Sequence, residues 1–310
     1  MKKKKSYLAE MITIVVVVAI LVVLMVFMVR GSKTDDSKFI PNDYYEKYVA
    51  QGKLEKQYQY PSNDIRVFSE DFDVDGGNLT KISYYVPEIL NDEDKYPVVI
   101  FVNEDGKDVE SYDAILKHLA SYGFICVGSN DRDASSGEST KYVYDHITYM
   151  NNSSDEYLYN HIDLENIGIY GFVHGGIGSL NAISNYNVPC DALVTLSMPS
   201  LSFLEEEEFE YIYDPTKINT NWFIGNTEGK NELLFNSTED TLELLDMTPS
   251  SAMMATRNNI DYGSAMGCFD AYVTIYYIIN LKQNEELKPV FEEEGEFSKN
   301  SLFTNFNKNY

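Results

Sequence analysis

The 310-residue sequence predicts an α/β fold, a mostly parallel sheet with helices on both faces, preceded by one N-terminal transmembrane helix. Two observations carry this prediction. From residue 65 onwards, runs rich in β-branched residues alternate with segments of helical periodicity, which favours right-handed crossovers and a parallel sheet. Ahead of them, residues 11–29 are uncharged and apolar. As a helix they measure about 28 Å, close to the hydrocarbon thickness of a bilayer.

The charges around the apolar run predict its orientation. Lys2–Lys5 precede the run, and only Arg30 and Lys33 follow it closely. The positive-inside rule therefore places the N-terminus in the cytoplasm and the remainder outside the cell membrane. A cleaved signal peptide is the alternative, but Val29-Arg30-Gly31 is a poor small-x-small cleavage site. The predicted organisation is a basic cytoplasmic tail (1–10), a single-pass membrane anchor (11–29), a linker (30–42) and one folded domain (43–310).

The formal net charge of −25 restricts the partners of this domain. Such an acidic surface repels nucleic acid, which is therefore excluded as a partner. Solubility explains the charge, while cation binding or a spacing role at the cell surface stays open. The three cysteines, Cys126, Cys190 and Cys268, are odd in number and widely spaced, so they predict buried thiols rather than disulfides or a zinc site. No metal and no cofactor are predicted.

The segments of the domain follow one another as strands and helices. A short helical stem or first element is predicted at Asp43–Gln57. Alternating or continuous apolar runs predict strands: Ile65–Asp73, Thr80–Val86, Tyr96–Val102, Phe124–Gly128, Asn166–Phe172, Asp191–Leu196, Thr220–Gly225 and Ser251–Arg257. The turn signal Asp75-Gly76-Gly77 predicts that the first two form an antiparallel hairpin at one edge of the sheet. Helical spacing predicts four helices: Ser111–Tyr122, Thr140–Met150, His174–Ser184 and Ala265–Leu281.

The strand, turn and helix at residues 167–176 resemble the nucleophile elbow of α/β-hydrolases, which reads Gly-x-Ser-x-Gly. Gly171 and Gly175 stand at the two glycine positions, and Gly176 follows. Ser111–Ser129 and Asp270–Leu281 resemble other parts of the same superfamily. The resemblance covers residues 45–310, is strongest to the dienelactone hydrolase, chlorophyllase and polyester-hydrolase branch, and implies an α/β-hydrolase-like fold.

Two positions of the family's catalytic triad carry residues that cannot perform its chemistry. The nucleophile position falls on Val173, whose side chain has no lone pair with which to attack a carbonyl. The family's histidine follows the nucleophile and the acid in the chain, but no histidine occurs after His174. The resemblance puts Tyr262 at that position, and a phenol with a reference pKa near 10 is a poor base at neutral pH.

The resemblance also assigns the remaining positions of the site. Glu228, which follows a predicted strand, occupies the acid position, and the backbone N–H of His174 occupies an oxyanion-hole position. Glu104 lies in the oxyanion loop, where it brings negative charge to the place at which a negative intermediate would form.

These residues predict a membrane-anchored, extracytoplasmic pseudohydrolase that binds a small ligand or a surface protein. Two alternatives stay open: an active carboxylic-ester hydrolase with a non-standard site, and an acidic structural surface protein.

Overall fold

The computed structural model describes residues 40–72, 74, 77–91, 94–229 and 235–310. The predicted cytoplasmic tail, membrane anchor and most of the linker lie outside these residues, as do the predicted turn residues Asp75 and Gly76. Within the described ranges, no helix combines the length and the apolar character needed to cross a membrane. Residues 40–310 form one structural unit.

A nine-stranded sheet organises the described residues, in the order β1-β2-β4-β3-β5-β6-β7-β8-β9. The strands from β3 to β8 run parallel to one another. At one edge, β2 pairs antiparallel with β4 and β1 pairs antiparallel with β2. At the other edge, β9 pairs antiparallel with β8. This arrangement confirms the predicted α/β fold with a mostly parallel sheet. The strands are β1 Ile65–Asp71, β2 Lys81–Pro87, β3 Tyr96–Val102, β4 Ile125–Ser129, β5 Ile162–Phe172, β6 Ala192–Leu196, β7 Asn221–Thr227, β8 Ala252–Arg257 and β9 Phe303–Lys308.

Helices connect the parallel strands and include all four that were predicted. They are α1 Tyr44–Lys47, α2 Lys53–Tyr58, α3 Asp113–Ser121, α4 Glu138–Asn152, α5 His174–Tyr186, α6 Leu201–Glu206, α7 Thr238–Met247, α8 Ala265–Leu281 and α9 Glu296–Lys299. Short 3-10 segments include Tyr262–Ser264 and Glu285–Phe291.

Strand β3 shows why the central strands are apolar on both sides. Successive side chains of a strand point to opposite faces of the sheet. Ile100 belongs to the core cluster that contains Ile177 of α5. Its neighbour Phe101 instead packs edge-on against Tyr170, whose ring lies 6.3 Å from that of Tyr277 on α8. Both faces of the sheet are therefore covered, as the continuous apolar run of β3 predicts.

The stem is bound to the core by a buried polar cluster. Tyr44 of α1 donates a hydrogen bond to Asp270 of α8. The same carboxylate lies 2.7 Å from Nδ1 of His118 on α3, and both side chains of that pair are almost fully buried. Three elements that are distant in the chain therefore meet at one carboxylate.

Two details differ from the sequence-based prediction. Cys190, which was predicted to be buried, is only half-buried in the connection before β6, whereas Cys126 and Cys268 are buried. Strand β9 was not predicted because its residues, FTNFNK, carry little apolar alternation. Its place is set by antiparallel pairing with β8, in which Phe303 faces Arg257.

Candidate functional site

The turn after β5 has the backbone of a nucleophile elbow. Val173 adopts φ 49° and ψ −117° between the last residue of β5 and the first residue of α5. Its N–H donates to the Leu196 carbonyl at the end of β6, and its own carbonyl accepts from Gly176 N–H. Positive φ is rare for a β-branched residue and costs about 1–3 kcal/mol. The surrounding contacts therefore hold a strained turn, although the residue at its tip has no nucleophilic atom.

The glycines of the elbow are required by close packing. A Cβ atom on Gly175 would lie 2.0 Å from the Val102 carbonyl oxygen, because α5 begins directly against the end of β3. At Gly171 a Cβ atom would lie 2.5 Å from the Gly175 carbonyl oxygen. Gly176 in turn faces the side chain of Met198. The spacing that suggested an elbow thus reflects a real steric requirement.

A circuit of aromatic rings starts and ends at the two neighbours of Val173. Each ring lies 5.6 to 6.5 Å from the next, measured between centroids. Apart from the buried Phe172, the members are half-buried, and Val173 itself is 5% exposed. We call this set the aromatic circuit; in order of contact it consists of Phe172, Tyr262, Phe235, Phe203, Phe209 and His174. The surroundings of the elbow are therefore apolar and aromatic.

Tyr262 lies beside the elbow, where the resemblance placed the base. It follows β8 in a 3-10 turn, and its ring is 6.5 Å from that of Phe172. Glu228 does follow β7, and its exposed carboxylate lies 3.3 Å from the Thr304 hydroxyl of β9. That hydroxyl lies nearer to Asn258 Oδ1, at 2.7 Å, so the carboxylate at the acid position is only weakly held by the edge strand.

Two carboxylates lie in the loop that follows β3. The Tyr112 side chain lies near Glu104 and its ring packs edge-on against Phe172, with ring centroids 5.8 Å apart. The Asp105 carboxylate accepts from the Ser135 hydroxyl at 3.1 Å. Burial raises the pKa of Asp105, although the nearby His174 imidazole and this hydrogen bond oppose the shift. Asp105 therefore brings a carboxyl group near His174, whose N–H occupies the predicted oxyanion position, and a carboxylate there opposes a developing anion.

Glu104 is expected to make stability depend on pH. Burial raises the pKa of its carboxyl, so the folded protein binds this proton more tightly than the unfolded chain does. The resulting stabilisation is complete below the unfolded pKa of about 4.3 and is lost as pH rises through the higher folded value. As pH rises from about 4 to about 7, we expect the free energy of unfolding to decrease less in Glu104→Gln than in the wild type. Urea unfolding measures this difference.

The exposed Glu243 of α7 provides the matched control for this experiment. A specific role of Glu104 would be refuted if the free energy of unfolding of Glu104→Gln changed with pH as it does in the wild type. It would also be refuted if Glu243→Gln changed the pH dependence as much as Glu104→Gln does.

The sequence did not reveal that Ser135, Asp105 and His174 lie close together. They come from three separate segments, and no spacing motif links them. The order of contacts is not that of a catalytic triad, because the Ser135 hydroxyl donates to the carboxylate and not to the imidazole. The His174 ring stacks on Phe209 at 5.6 Å and 19°. The imidazole is thus not placed as the base for this hydroxyl, whose hydrogen-bond acceptor is the Asp105 carboxylate.

Comparison with known proteins supports the fold. A model of the family "Platelet-activating factor acetylhydrolase, isoform II" matches residues 35–169, and that family belongs to the α/β-hydrolase superfamily. The matched stretch, which is less than half of the chain, is therefore similar to an α/β-hydrolase family. The match spans β1 to β4 and most of β5 and stops at Ile169, before the elbow. No curated protein matches the sequence.

The α/β-hydrolase-like chain thus combines a supported scaffold with an altered elbow. The more specific likeness to the dienelactone hydrolase branch stays a prediction, as do the loss of catalysis and the membrane anchor.

Proposed function

We propose that this is a membrane-anchored, extracytoplasmic, non-catalytic α/β-hydrolase-like protein that binds an apolar ligand or partner at the elbow. The observation that carries the proposal is Val173 at the tip of a strand-to-helix turn, with a positive φ of 49°. Acyl transfer at this turn needs an attacking oxygen or sulfur atom, and valine has neither.

The groups around Val173 support the same proposal. The base position holds the phenol of Tyr262, and the exposed Glu228 carboxylate lies 3.3 Å from the Thr304 hydroxyl of β9. Asp105 brings a carboxyl group near His174, at the predicted oxyanion position. The aromatic circuit instead offers apolar surface, which is typical of sites that bind apolar groups.

Anchoring in the membrane is supported by the sequence of the N-terminal segment. The apolar run at 11–29 has the length of a membrane span, and the preceding lysines orient it. The folded domain would then present its elbow outside the cell.

The proposal predicts that the wild-type protein neither reacts with a serine-directed fluorophosphonate nor hydrolyses short aryl esters. In a well-studied protease, loss of the nucleophile reduces turnover by about 10⁶-fold, so background hydrolysis is the expected result. The double variant Val173→Ser with Tyr262→His is expected to gain labelling, because the backbone already presents position 173 as an elbow. The rescue will be partial, since Glu228 does not orient the new imidazole.

Controls distinguish the possible sources of labelling. Ser179→Ala removes a buried hydroxyl one helical turn from the elbow that donates to the Gly175 carbonyl. Ser135→Ala removes the hydroxyl next to Asp105 and His174. Wild-type turnover that disappears in Ser135→Ala would overturn the proposal in favour of the second candidate, an ester hydrolase with a non-standard site.

A further inference from the structure

A cavity lies at the opposite ends of the strands from the elbow. Asn221, the first residue of β7, and Ser251, just before β8, line it. The elbow follows the last residue of β5, and β5 to β8 run parallel. The cavity therefore opens at the amino ends of the strands and is separate from the aromatic circuit. Its volume is about 250 Å³.

The walls of this cavity are largely aromatic. Trp222, Tyr276, Phe291 and Tyr310 line it. Tyr276 and Phe291 meet edge to face, with ring centroids 6.3 Å apart. Such walls contact the flat or aliphatic body of a small molecule over a large area.

A buried hydroxyl in the cavity wall has no partner. Tyr276 is 4% exposed, and its hydroxyl makes no hydrogen bond with any part of the chain that the structure describes. Burial raises the pKa of this phenol, so the hydroxyl keeps its proton. A buried donor without a partner is unfavourable, and an acceptor on a bound molecule would satisfy it.

Two lysines line the same cavity of a strongly acidic protein. The Lys308 side chain is only 12% exposed, and its ammonium group lies 3.7 Å from Glu292 and 4.8 Å from the centre of the Tyr310 ring. Lys288 pairs with the exposed Glu285 at 2.7 Å. An ammonium group donates hydrogen bonds and accepts none. Together with the Tyr276 hydroxyl, these groups make the cavity rich in donors, with Glu292 as the acidic group at its wall.

We propose that this cavity binds a small carboxylate that carries an aromatic or alkyl body. The carboxylate accepts hydrogen bonds from Lys308 and Tyr276, and the body packs between the rings of Phe291 and Tyr310. Carboxylates only accept hydrogen bonds and pair well with ammonium donors, so they match this set of groups. This proposal does not depend on whether the elbow is catalytic.

The only tryptophan of the sequence provides the readout, because Trp222 lines the cavity. The full chain is titrated with 3-phenylpropanoate, and Trp222 fluorescence is recorded. Phenylpropanamide and phenylpropylammonium test whether a negatively charged head group is required. Acetate tests whether the aromatic part of the ligand is required. We expect saturable binding of phenylpropanoate and at least about ten-fold weaker binding of the other three probes.

Variants test the two donors. Lys308→Met and Tyr276→Phe are each expected to weaken phenylpropanoate binding by about three- to ten-fold. Lys299→Met is the control, because Lys299 is exposed and pairs with Glu294 at 2.8 Å outside the cavity.

Three outcomes would overturn the proposal. One is no saturable fluorescence change up to about 10 mM phenylpropanoate, which corresponds to less than about 3 kcal/mol of binding free energy. Another is equal binding of the amide or of acetate. The third is an affinity for phenylpropanoate in both Lys308→Met and Tyr276→Phe that equals that of the Lys299→Met control.

Discussion

Replacing Asp270 with alanine is expected to lower the free energy of unfolding by about 3–5 kcal/mol, as is typical when one partner of a buried polar pair is removed. The carboxylate is buried and receives the Tyr44 hydroxyl and Nδ1 of His118. Without it, both groups stay buried and lose this partner, and α1 loses its polar link to α8. Urea unfolding followed by Trp222 fluorescence measures the loss.

Asp145→Ala is the control for this substitution. Asp145 is exposed on α4 and pairs with Lys141 one helical turn away. Exposed pairs of this kind contribute about 0.3–0.5 kcal/mol. Tyr44→Phe separates the contribution of the stem, because it removes only the hydroxyl. If Asp270→Ala destabilises no more than Asp145→Ala does, the buried cluster does not stabilise the fold.

Gly175→Ala is expected to destabilise the protein by about 3 kcal/mol, the upper end for overpacking of a core. In an ordinary helix interior the same change stabilises by about 1 kcal/mol, since alanine is the better helix former. Here the new methyl group would meet the backbone of Val102 and Asn103, at 2.0 to 2.8 Å. Neither of these backbone segments can move without disturbing β3, so α5 would have to lift from the sheet.

Ser184→Ala on the same helix controls for helix propensity. Ser184 lies near the end of α5, and its hydroxyl contacts only the exposed side chain of Asn185. Its substitution is expected to change stability by less than about 0.5 kcal/mol. A Gly175→Ala variant as stable as Ser184→Ala would show that the contact between α5 and β3 is looser than the structure indicates.

The sequence predicted those parts of the fold in which the local residue pattern directly reflects the contacts that the segment makes in the folded protein. The continuous apolar run of β3 is buried on both faces, and the spacing of Gly171 and Gly175 is imposed by backbone contacts. Strand β9 lacks such a pattern, because one face is exposed and its register depends on β8.

The candidate site was predictable only in part for the same reason. Val173 and Tyr262 follow strands whose ends are well marked, so their neighbourhood could be inferred. Phe209 and Phe235 reach the site from connecting segments whose course no local pattern encodes. The hydrogen bond of Glu228 could not be foreseen either, because its partner Thr304 belongs to the unpredicted β9.

The positive φ at Val173 has a consequence for protein engineering. The main chain at this position is held by β6, α5 and the packing of two glycines, not by the side chain that happens to be present. Val173 is only 5% exposed, so side chains of similar or smaller volume can be exchanged at this fixed point while the scaffold stays in register. That makes residue 173 a position at which small reactive groups, such as a hydroxyl or a thiol, can be compared on an identical backbone.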